Sequence, residues 1–338
     1  MVARSEVIRV GVVGAGIMGA DHARTLARFV SGAEVVLLAD PDLQRATAAA
    51  DAVGSEVVDD PFALVRSPEV DAVVVASPDA THPALVRACV EAGKPVLCEK
   101  PLSPTLSEAA ALLNDLGEQA ALVSIGFMRR FDPGYADLRA AIASGTFGAP
   151  LATHSSGRGV SAGPGSTAES SVTQSAVHEI DIVPWLLGSP VEEVSWHAPR
   201  RSSASDFADP QLILLRTADG VLSTVETFLN ARYGYDVRCE VVGEHGTASL
   251  RQPARTEVDS TLSRGFPYDP DWRPRFAEAY RLELQAWVDS IGGGDRGPLA
   301  GAYDGLVASA VADAVITSMR SDGARVRVEV PAVAGGAA

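Results

Sequence analysis

The first ~125 residues alternate short apolar runs, rich in β-branched residues, with longer amphipathic runs. The short runs predict buried strands, and apolar residues at helical spacing predict helices. The predicted strands are Val7–Val13, Glu34–Ala39, Ala72–Ala76, Pro95–Cys98 and Ala121–Ile125. The predicted helices are Met18–Val30, Asp42–Val53, Thr81–Ala92 and Thr105–Gly117. Strands and helices in this order indicate an α/β domain, a doubly wound parallel sheet covered by helices on both faces.

After Gly126 the pattern changes to runs in which apolar and polar residues alternate, which is typical of a mostly antiparallel sheet. Helices are predicted over Tyr135–Ser144, Ala176–Leu187, Pro274–Ile291 and Ala302–Arg320. The predicted strands are Leu151–Ser155, Val191–Trp196, Gln211–Thr217, Val221–Phe228, Tyr235–Val242, Thr247–Leu250 and Arg325–Val330. We therefore expect a first domain over residues 1–126, a second α/β domain with a large open sheet over 127–331, and a disordered tail over 332–338.

Composition narrows the class of protein. A chain of 338 residues with 46% hydrophobic and 21% charged residues has the material for two globular domains. The formal net charge of −15 repels phosphate backbones and anionic lipid, so we expect neither nucleic acid nor a membrane as partner. No signal pattern and no apolar run of roughly 20 residues is evident, and three cysteines make a poor disulfide framework. We therefore expect a cytoplasmic protein.

A glycine-rich motif, Gly14-Ala15-Gly16-Ile17-Met18-Gly19, follows the first strand and opens the first helix. In such a loop Gly14 permits a tight turn, Gly16 lets the backbone approach a pyrophosphate, and Gly19 lets the helix pack closely. Asp40 ends the second strand at the spacing expected for an acid that binds a ribose 2′-hydroxyl. The motif predicts a Rossmann domain that binds a dinucleotide through Gly14, Gly16, Ile17, Met18, Gly19 and Asp40. Asp40 would repel a 2′-phosphate, which favours NAD over NADP.

Two later loops lie where the reactive half of the dinucleotide is expected. Ser77 and Pro78 follow the third predicted strand and are expected to line the cofactor site. His82 is either a residue on the cofactor side or a residue that forms only local hydrogen bonds. Lys100 follows the fourth strand, after Glu99. Nucleotide binding requires no lysine there, and an amine at the carboxyl end of such a strand points into the crevice where cofactor and substrate meet. We therefore predict an enzyme.

His178 lies near the start of a predicted helix in the second domain, in the run His178-Glu179-Ile180-Asp181. A lone helical histidine is more often structural. The presence of a crevice lysine elsewhere in the chain favours the catalytic interpretation.

Five motifs occur in an order that resembles the Gfo/Idh/MocA oxidoreductases, and among them the inositol dehydrogenases. They are GAGIMG, SPDATH, CEKP, GFMRRFDPGY and SAVHEID. The resemblance implies that Lys100 hydrogen-bonds the reacting hydroxyl, before a cis proline, and that His178 is the general base. It implies that Glu99, Lys100 and Arg129 lie beside the cofactor and that Arg130, Arg158, Gln174 and Tyr235 contact the substrate. It also implies that the open sheet face forms dimers or tetramers.

Two departures from the family pattern bear on the substrate. Many relatives carry an aspartate four residues before the histidine, where this chain has Gln174, and a glutamine does not stabilise an imidazolium as a carboxylate does. Inositol dehydrogenases tend to read His-Arg-Asn where this chain reads Gly157-Arg158-Gly159. Fewer polar contacts and more space would suit a modified cyclitol, such as an aminocyclitol, or a larger sugar.

The leading hypothesis is an NAD-dependent oxidoreductase that converts a ring secondary hydroxyl of a cyclitol to the ketone, without a metal. One alternative is a sugar or keto-sugar dehydrogenase or reductase of the same family. Two others are a redox-neutral NAD-dependent sugar-modifying enzyme and a non-catalytic nucleotide-sensing regulator.

Overall fold

Residues 7–251 and 256–333 are described by the computed structural model. Within them the chain forms two units, the first made of residues 7–131, 279–309 and 330–333, the second of residues 132–278 and 310–329. A single boundary near residue 126 does not anticipate that residues 279–309 belong to the first unit. Residues 334–338 of the predicted tail lie outside the described residues.

The first unit contains a seven-stranded sheet with the order β15-β6-β5-β4-β1-β2-β3. Six strands are parallel neighbours, and β15 pairs antiparallel with β6. The strands are β1 Ile8–Val13, β2 Ala33–Ala39, β3 Glu56–Val58, β4 Ala72–Val75, β5 Val96–Glu99, β6 Val123–Gly126 and β15 Ala300–Gly301. The doubly wound sheet is confirmed. The prediction missed β3 and β15, which are too short to show a hydrophobic pattern.

Helices cover this sheet and begin at residues suited to capping. They are α1 Ile17–Phe29, α2 Leu43–Asp51, α3 Pro61–Arg66, α4 His82–Glu91 and α5 Leu106–Leu116, of which α3 was not predicted. The side chains of Asp42, Asp60 and Thr105 accept hydrogen bonds from the first turns of α2, α3 and α5. Two later helices, α9 Trp272–Ile291 and α10 Ala302–Arg320, contribute residues to both units. Trp287 of α9 is buried in the same apolar core as Val12 of β1.

The second unit contains another seven-stranded sheet, with the order β12-β11-β7-β10-β9-β8-β16. All neighbours are antiparallel except β7 and β10, which confirms the predicted large, mostly antiparallel sheet. The strands are β7 Pro150–Arg158, β8 Val191–His197, β9 Gln211–Thr217, β10 Leu222–Phe228, β11 Asp236–Gly243, β12 Gly246–Ser249 and β16 Val326–Arg327. A small hairpin pairs β13 Val258–Ser260 with β14 Ser263–Gly265. The remaining helices are α6 Pro133–Ala143, α7 Ala168–Ser170 and α8 Val177–Leu187.

The two faces of the second sheet differ in burial. Thr153, Val225 and Ile213 belong to a face that is fully buried on the side of α8. The alternate residues form the other face, which is largely half-buried or exposed in the single chain. We call this the open face; it carries Ala152, His154, Ser156, Leu212, Leu214, Arg216, Leu222, Thr224 and Glu226.

Candidate active site

The glycine loop between β1 and α1 has the shape of a dinucleotide cradle. Gly14 has a φ of +95°, and a Cβ there would lie 2.6 Å from the carbonyl oxygen of Ala76. A Cβ on Gly19 would lie 1.8 Å from the carbonyl oxygen of Gly14, so that position excludes any side chain. A Cβ on Gly16, in contrast, would meet nothing within 4 Å, and the adjacent Ile17 is 59% exposed. The loop therefore leaves open space at the start of α1, and the amino-terminal end of a helix favours a phosphate.

Asp40 is held rigidly beside this loop. Its Oδ2 accepts a 2.7 Å hydrogen bond from the Ala15 amide, and its Oδ1 accepts from the Asp42 amide and from Arg45. Burial by itself would raise the pKa of Asp40, but the hydrogen bonds from Arg45 and the two amides outweigh it and lower the pKa below its ordinary value. Asp40 is therefore a carboxylate at neutral pH, as a ribose-binding acid must be. Together with the open glycine loop, this fits NAD.

The loop after β4 is fixed by its own side chains. The Thr81 hydroxyl donates to the Pro78 carbonyl at 2.7 Å and lies 2.6 Å from the Ser77 hydroxyl. His82 is buried, and its ring contacts backbone carbonyls of this loop and of the loop after β5. The contacts of His82 thus match the local hydrogen-bonding interpretation; a cofactor-side role stays a prediction.

Lys100 lies half-buried at the carboxyl end of β5, and the Lys100–Pro101 peptide is cis, as the family resemblance implies. Burial lowers the pKa of the Lys100 amine, although the negative charges of Glu99 and Asp79 oppose this, and the positive charge of Arg129 lowers the pKa further. Such an amine changes its charge more readily than an exposed lysine.

Glu99 is also buried, and its carboxylate lies between two partners. Oε1 is 2.7 Å from Nε2 of His22, on α1, and Oε2 accepts the Lys100 amide at 3.2 Å. Burial would raise the pKa of Glu99, but the hydrogen bond and charge of His22 and the charge of Lys100 lower it overall. Glu99 is therefore an anion beside Lys100. His22 was not identified from the sequence.

The two predicted arginines lie in a single turn, Met128–Phe131, directly after β6, and both are buried. Arg129 acts electrostatically on Lys100, which places it beside the predicted reacting end. Arg130 forms a 3.0 Å ion pair with Asp304 of α10, so part of its guanidinium has a structural role.

In the second unit, His178 is the second residue of α8, and α8 follows a π-helical turn, Ser171–Ala176, that contains Gln174. The Val177 amide donates to the Val172 carbonyl, five residues earlier. Such turns often mark functional sites. Because of this turn, the four-residue step from Gln174 to His178 does not follow regular α-helical spacing.

Gly157 and Gly159 do not open free space at their own positions. A Cβ on Gly157 would lie 3.2 Å from Oε1 of Glu179, and a Cβ on Gly159 would lie 3.0 Å from the carbonyl oxygen of Leu229. A side chain at either position would therefore start close to a neighbouring oxygen, and the expectation of a pocket wall with fewer polar contacts and more space stays a prediction.

Arg158 lies on the opposite side of the strand from Gly157. Successive residues of a strand point to opposite faces, and Arg158 pairs with Glu226 of the open face at 2.7 Å. Gly157, in contrast, faces Glu179 of α8. The structure thus groups Gly157 with α8 and separates Arg158 from it; a substrate contact by Arg158 stays a prediction.

Tyr235 and the nearby Tyr233 each contact an aromatic ring that the sequence analysis did not identify. Its amide donates to the Asp269 carbonyl, and its ring lies edge-on to Phe276. Tyr233 lies edge-on to Tyr268, at a centroid distance of 5.1 Å. The aromatic residues that were not identified lie in the segment 266–276. The alternation of aromatic residues and prolines in this segment was the sequence feature that could have indicated them.

Over residues 7–251 and 256–333, no cluster of three or more histidine, cysteine, aspartate or glutamate residues could hold a metal ion. In the same part of the chain, no helix has the length and apolar character needed to cross a bilayer.

Comparison with known proteins gives consistent matches over nearly the whole chain. Residues 8–127 match the oxidoreductase family with an NAD-binding Rossmann fold, and residues 139–330 match its C-terminal α/β domain. The chain is 52% identical to inositol 2-dehydrogenase 2 of Paenarthrobacter aurescens, over 95% of this chain and 98% of that protein. It is 50% identical to inositol 2-dehydrogenase 1 of Saccharopolyspora erythraea, over 96% and 97%.

Among solved structures, the myo-inositol dehydrogenase of Lactobacillus casei in complex with NAD(H) and myo-inositol superposes with a TM-score of 0.89 and 31% identity. That match covers 97% of this chain and 98% of the other. Both domains, in the same order and at these levels of identity, show that the chain belongs to the Gfo/Idh/MocA family of NAD-dependent oxidoreductases.

Proposed function

We propose that this protein is an NAD-dependent dehydrogenase that oxidises a ring secondary hydroxyl of an inositol-like cyclitol to the ketone. The observation that carries the proposal is Lys100, an amine of lowered pKa at the carboxyl end of β5. It belongs to a unit whose glycine loop and Asp40 fit NAD. The inositol dehydrogenases among its relatives support the substrate class.

The proposed chemistry assigns one task to each residue. NAD, when bound, accepts the carbinol hydride. Lys100, in its ammonium form, holds the reacting hydroxyl and stabilises the negative charge that develops on its oxygen. His178 takes the hydroxyl proton as general base. Gln174, Arg130 and Tyr235 are proposed to bind the remaining hydroxyls, and Ser77, Pro78, Glu99 and Arg129 to frame the cofactor.

Lysine is rare in this chain, which allows a matched test of Lys100. The sequence contains only two lysines, Lys94 and Lys100. We expect Lys100→Ala to reduce kcat about 100- to 1,000-fold, the usual effect of losing one oxyanion-stabilising donor, with little change in the Kd of NAD. Lys94 donates to the Ser67 carbonyl at the other end of β5, and Lys94→Ala should retain turnover. Equal losses of turnover and NAD binding in Lys100→Ala would contradict the catalytic assignment.

The substrate is tested by following NAD reduction with inositol isomers, aminocyclitols and aldoses. We expect the fastest turnover with an unmodified inositol, the substrate class for which its relatives are named. Activity confined to aldoses would contradict the cyclitol assignment and leave the family unchanged. Tightly bound NAD with no NADH formed from any polyol would support a redox-neutral enzyme instead.

We also propose that the protein forms homo-oligomers through the open face of the second sheet. Leu212, Leu214 and Leu222 lie half-buried or exposed on this face, and apolar surface of this kind is suited to a second copy. A cytoplasmic location is proposed from the cysteines, which are all buried free thiols. Burial raises the pKa of Cys89 to about 12, so its reactive thiolate is scarce.

A further inference from the structure

His82 makes two contacts that one neutral histidine cannot satisfy. It is the first residue of α4, and only 1% of its surface is exposed. Its Nε2 lies 2.8 Å from the carbonyl oxygen of Ser77, and its Nδ1 lies 2.7 Å from the carbonyl oxygen of Pro101. Both distances are those of good hydrogen bonds.

A carbonyl oxygen only accepts hydrogen bonds, so each ring nitrogen must donate. A neutral imidazole has one N–H and one lone pair, whereas an imidazolium has two N–H groups. With a neutral ring, one nitrogen lone pair would face a carbonyl lone pair at hydrogen-bond distance in a buried site, which is costly.

We propose that His82 carries a proton on both nitrogens and acts as a positioning residue that joins the Ser77 loop to the Lys100 loop. Its importance for turnover rests on the proposed function, since Pro101 directly follows Lys100. The protonation state does not rest on it.

The surroundings make His82 a firm anchor. The Thr81 amide and hydroxyl both donate to the Pro78 carbonyl, and the Ser77 hydroxyl contacts the Thr81 hydroxyl. Hydrogen bonds within the stretch from Ser77 to His82 therefore hold it rigid. The link from Nδ1 to Pro101 extends that rigidity to the residue after Lys100.

Charged groups of both signs surround the Lys100 loop to which His82 binds. Asp79 and Glu99 are negative, and Lys100 and Arg129 are positive. His22 faces Glu99 from α1, and the thiol of Cys98 is buried on β5. The carboxylates of Asp79 and Glu99 and the two carbonyl dipoles favour an imidazolium, whereas the positive charges of Lys100, Arg129 and His22 oppose it.

The direct test is nitrogen-15 NMR of the histidine side chains in the NAD-bound wild-type protein at neutral pH. The chain has six histidines, and His82→Gln assigns the His82 signal by its loss. We expect both His82 nitrogens to be protonated. An unprotonated, pyridine-like nitrogen on His82 would overturn the proposal. Because this readout needs no substrate, it holds even if no polyol is oxidised.

The second test measures the positioning role. In His82→Gln a single amide nitrogen replaces two ring donors, so we expect kcat to fall about 10- to 100-fold, as for a slightly misplaced catalytic group. The KM for NAD should change much less. His245→Gln, at an exposed residue of the turn between β11 and β12, is the matched control and should keep the wild-type kcat. Unchanged kcat in a folded His82→Gln protein would contradict the positioning role while leaving the proposed reaction intact.

Discussion

At the scale of single residues, Lys100 stands out because its charge is set by its neighbours. The sequence indicated the lysine, since nucleotide binding does not require one after a strand. It did not indicate His22, which lies 77 residues from Glu99 along the chain and contacts it only in the folded structure. Side chains adjacent in sequence to a motif could be predicted, whereas contacts between distant elements required the fold.

The Glu99 carboxylate should set the pH range of turnover. Burial lowers the pKa of Lys100, and the negative charge of Glu99 opposes that effect. Removing the charge in Glu99→Gln lowers the pKa further, so the required ammonium is lost at a lower pH as the pH rises. We expect the alkaline fall in kcat to move to lower pH. Glu91→Gln, an exposed substitution on α4, should leave the profile in place; an unchanged profile in Glu99→Gln would refute the coupling.

At the scale of elements, hydrophobic periodicity predicted the long helices and most strands of both sheets. It did not predict the π-helical turn before α8, because Ser171–Ala176 has neither helical nor strand periodicity. Periodicity also did not show which of Gly157 and Arg158 faces α8, because that depends on which side of β7 the helix covers.

The start of α6 depends on a buried ion pair. Asp132 accepts from the amides of Gly134 and Tyr135, and Arg275 donates to its other oxygen at 2.6 Å. Removing one partner leaves an uncompensated buried charge, so Arg275→Met should lower the free energy of unfolding by about 3–5 kcal/mol in urea denaturation. Arg66→Met breaks the exposed pair with Asp60 and should cost less than about 1 kcal/mol. Similar costs for the two variants would contradict this account.

At the scale of the whole molecule, the open face predicts how copies associate. A charge at its centre would have to be desolvated in an oligomer, so Leu214→Arg should shift the mass measured by light scattering toward that of a single chain. Phe29→Arg places the same charge on an exposed residue of α1 and should not change the mass. A wild-type protein that is already monomeric would contradict the proposed assembly.

Residues 279–309 belong to the first unit although they follow most of the second unit in sequence. This order limits how the protein can be truncated or recombined with a relative. A stop codon after β6 would remove Trp287 from the core around Val12 and leave β6 without its edge partner β15. A fragment that ends after β6 would therefore lack part of the cofactor-binding unit and could not be transferred as an independent domain. Exchanging substrate specificity between relatives calls for replacing residues 132–278 together with residues 310–329, with the segment 279–309 kept from the same parent as β1 to β6.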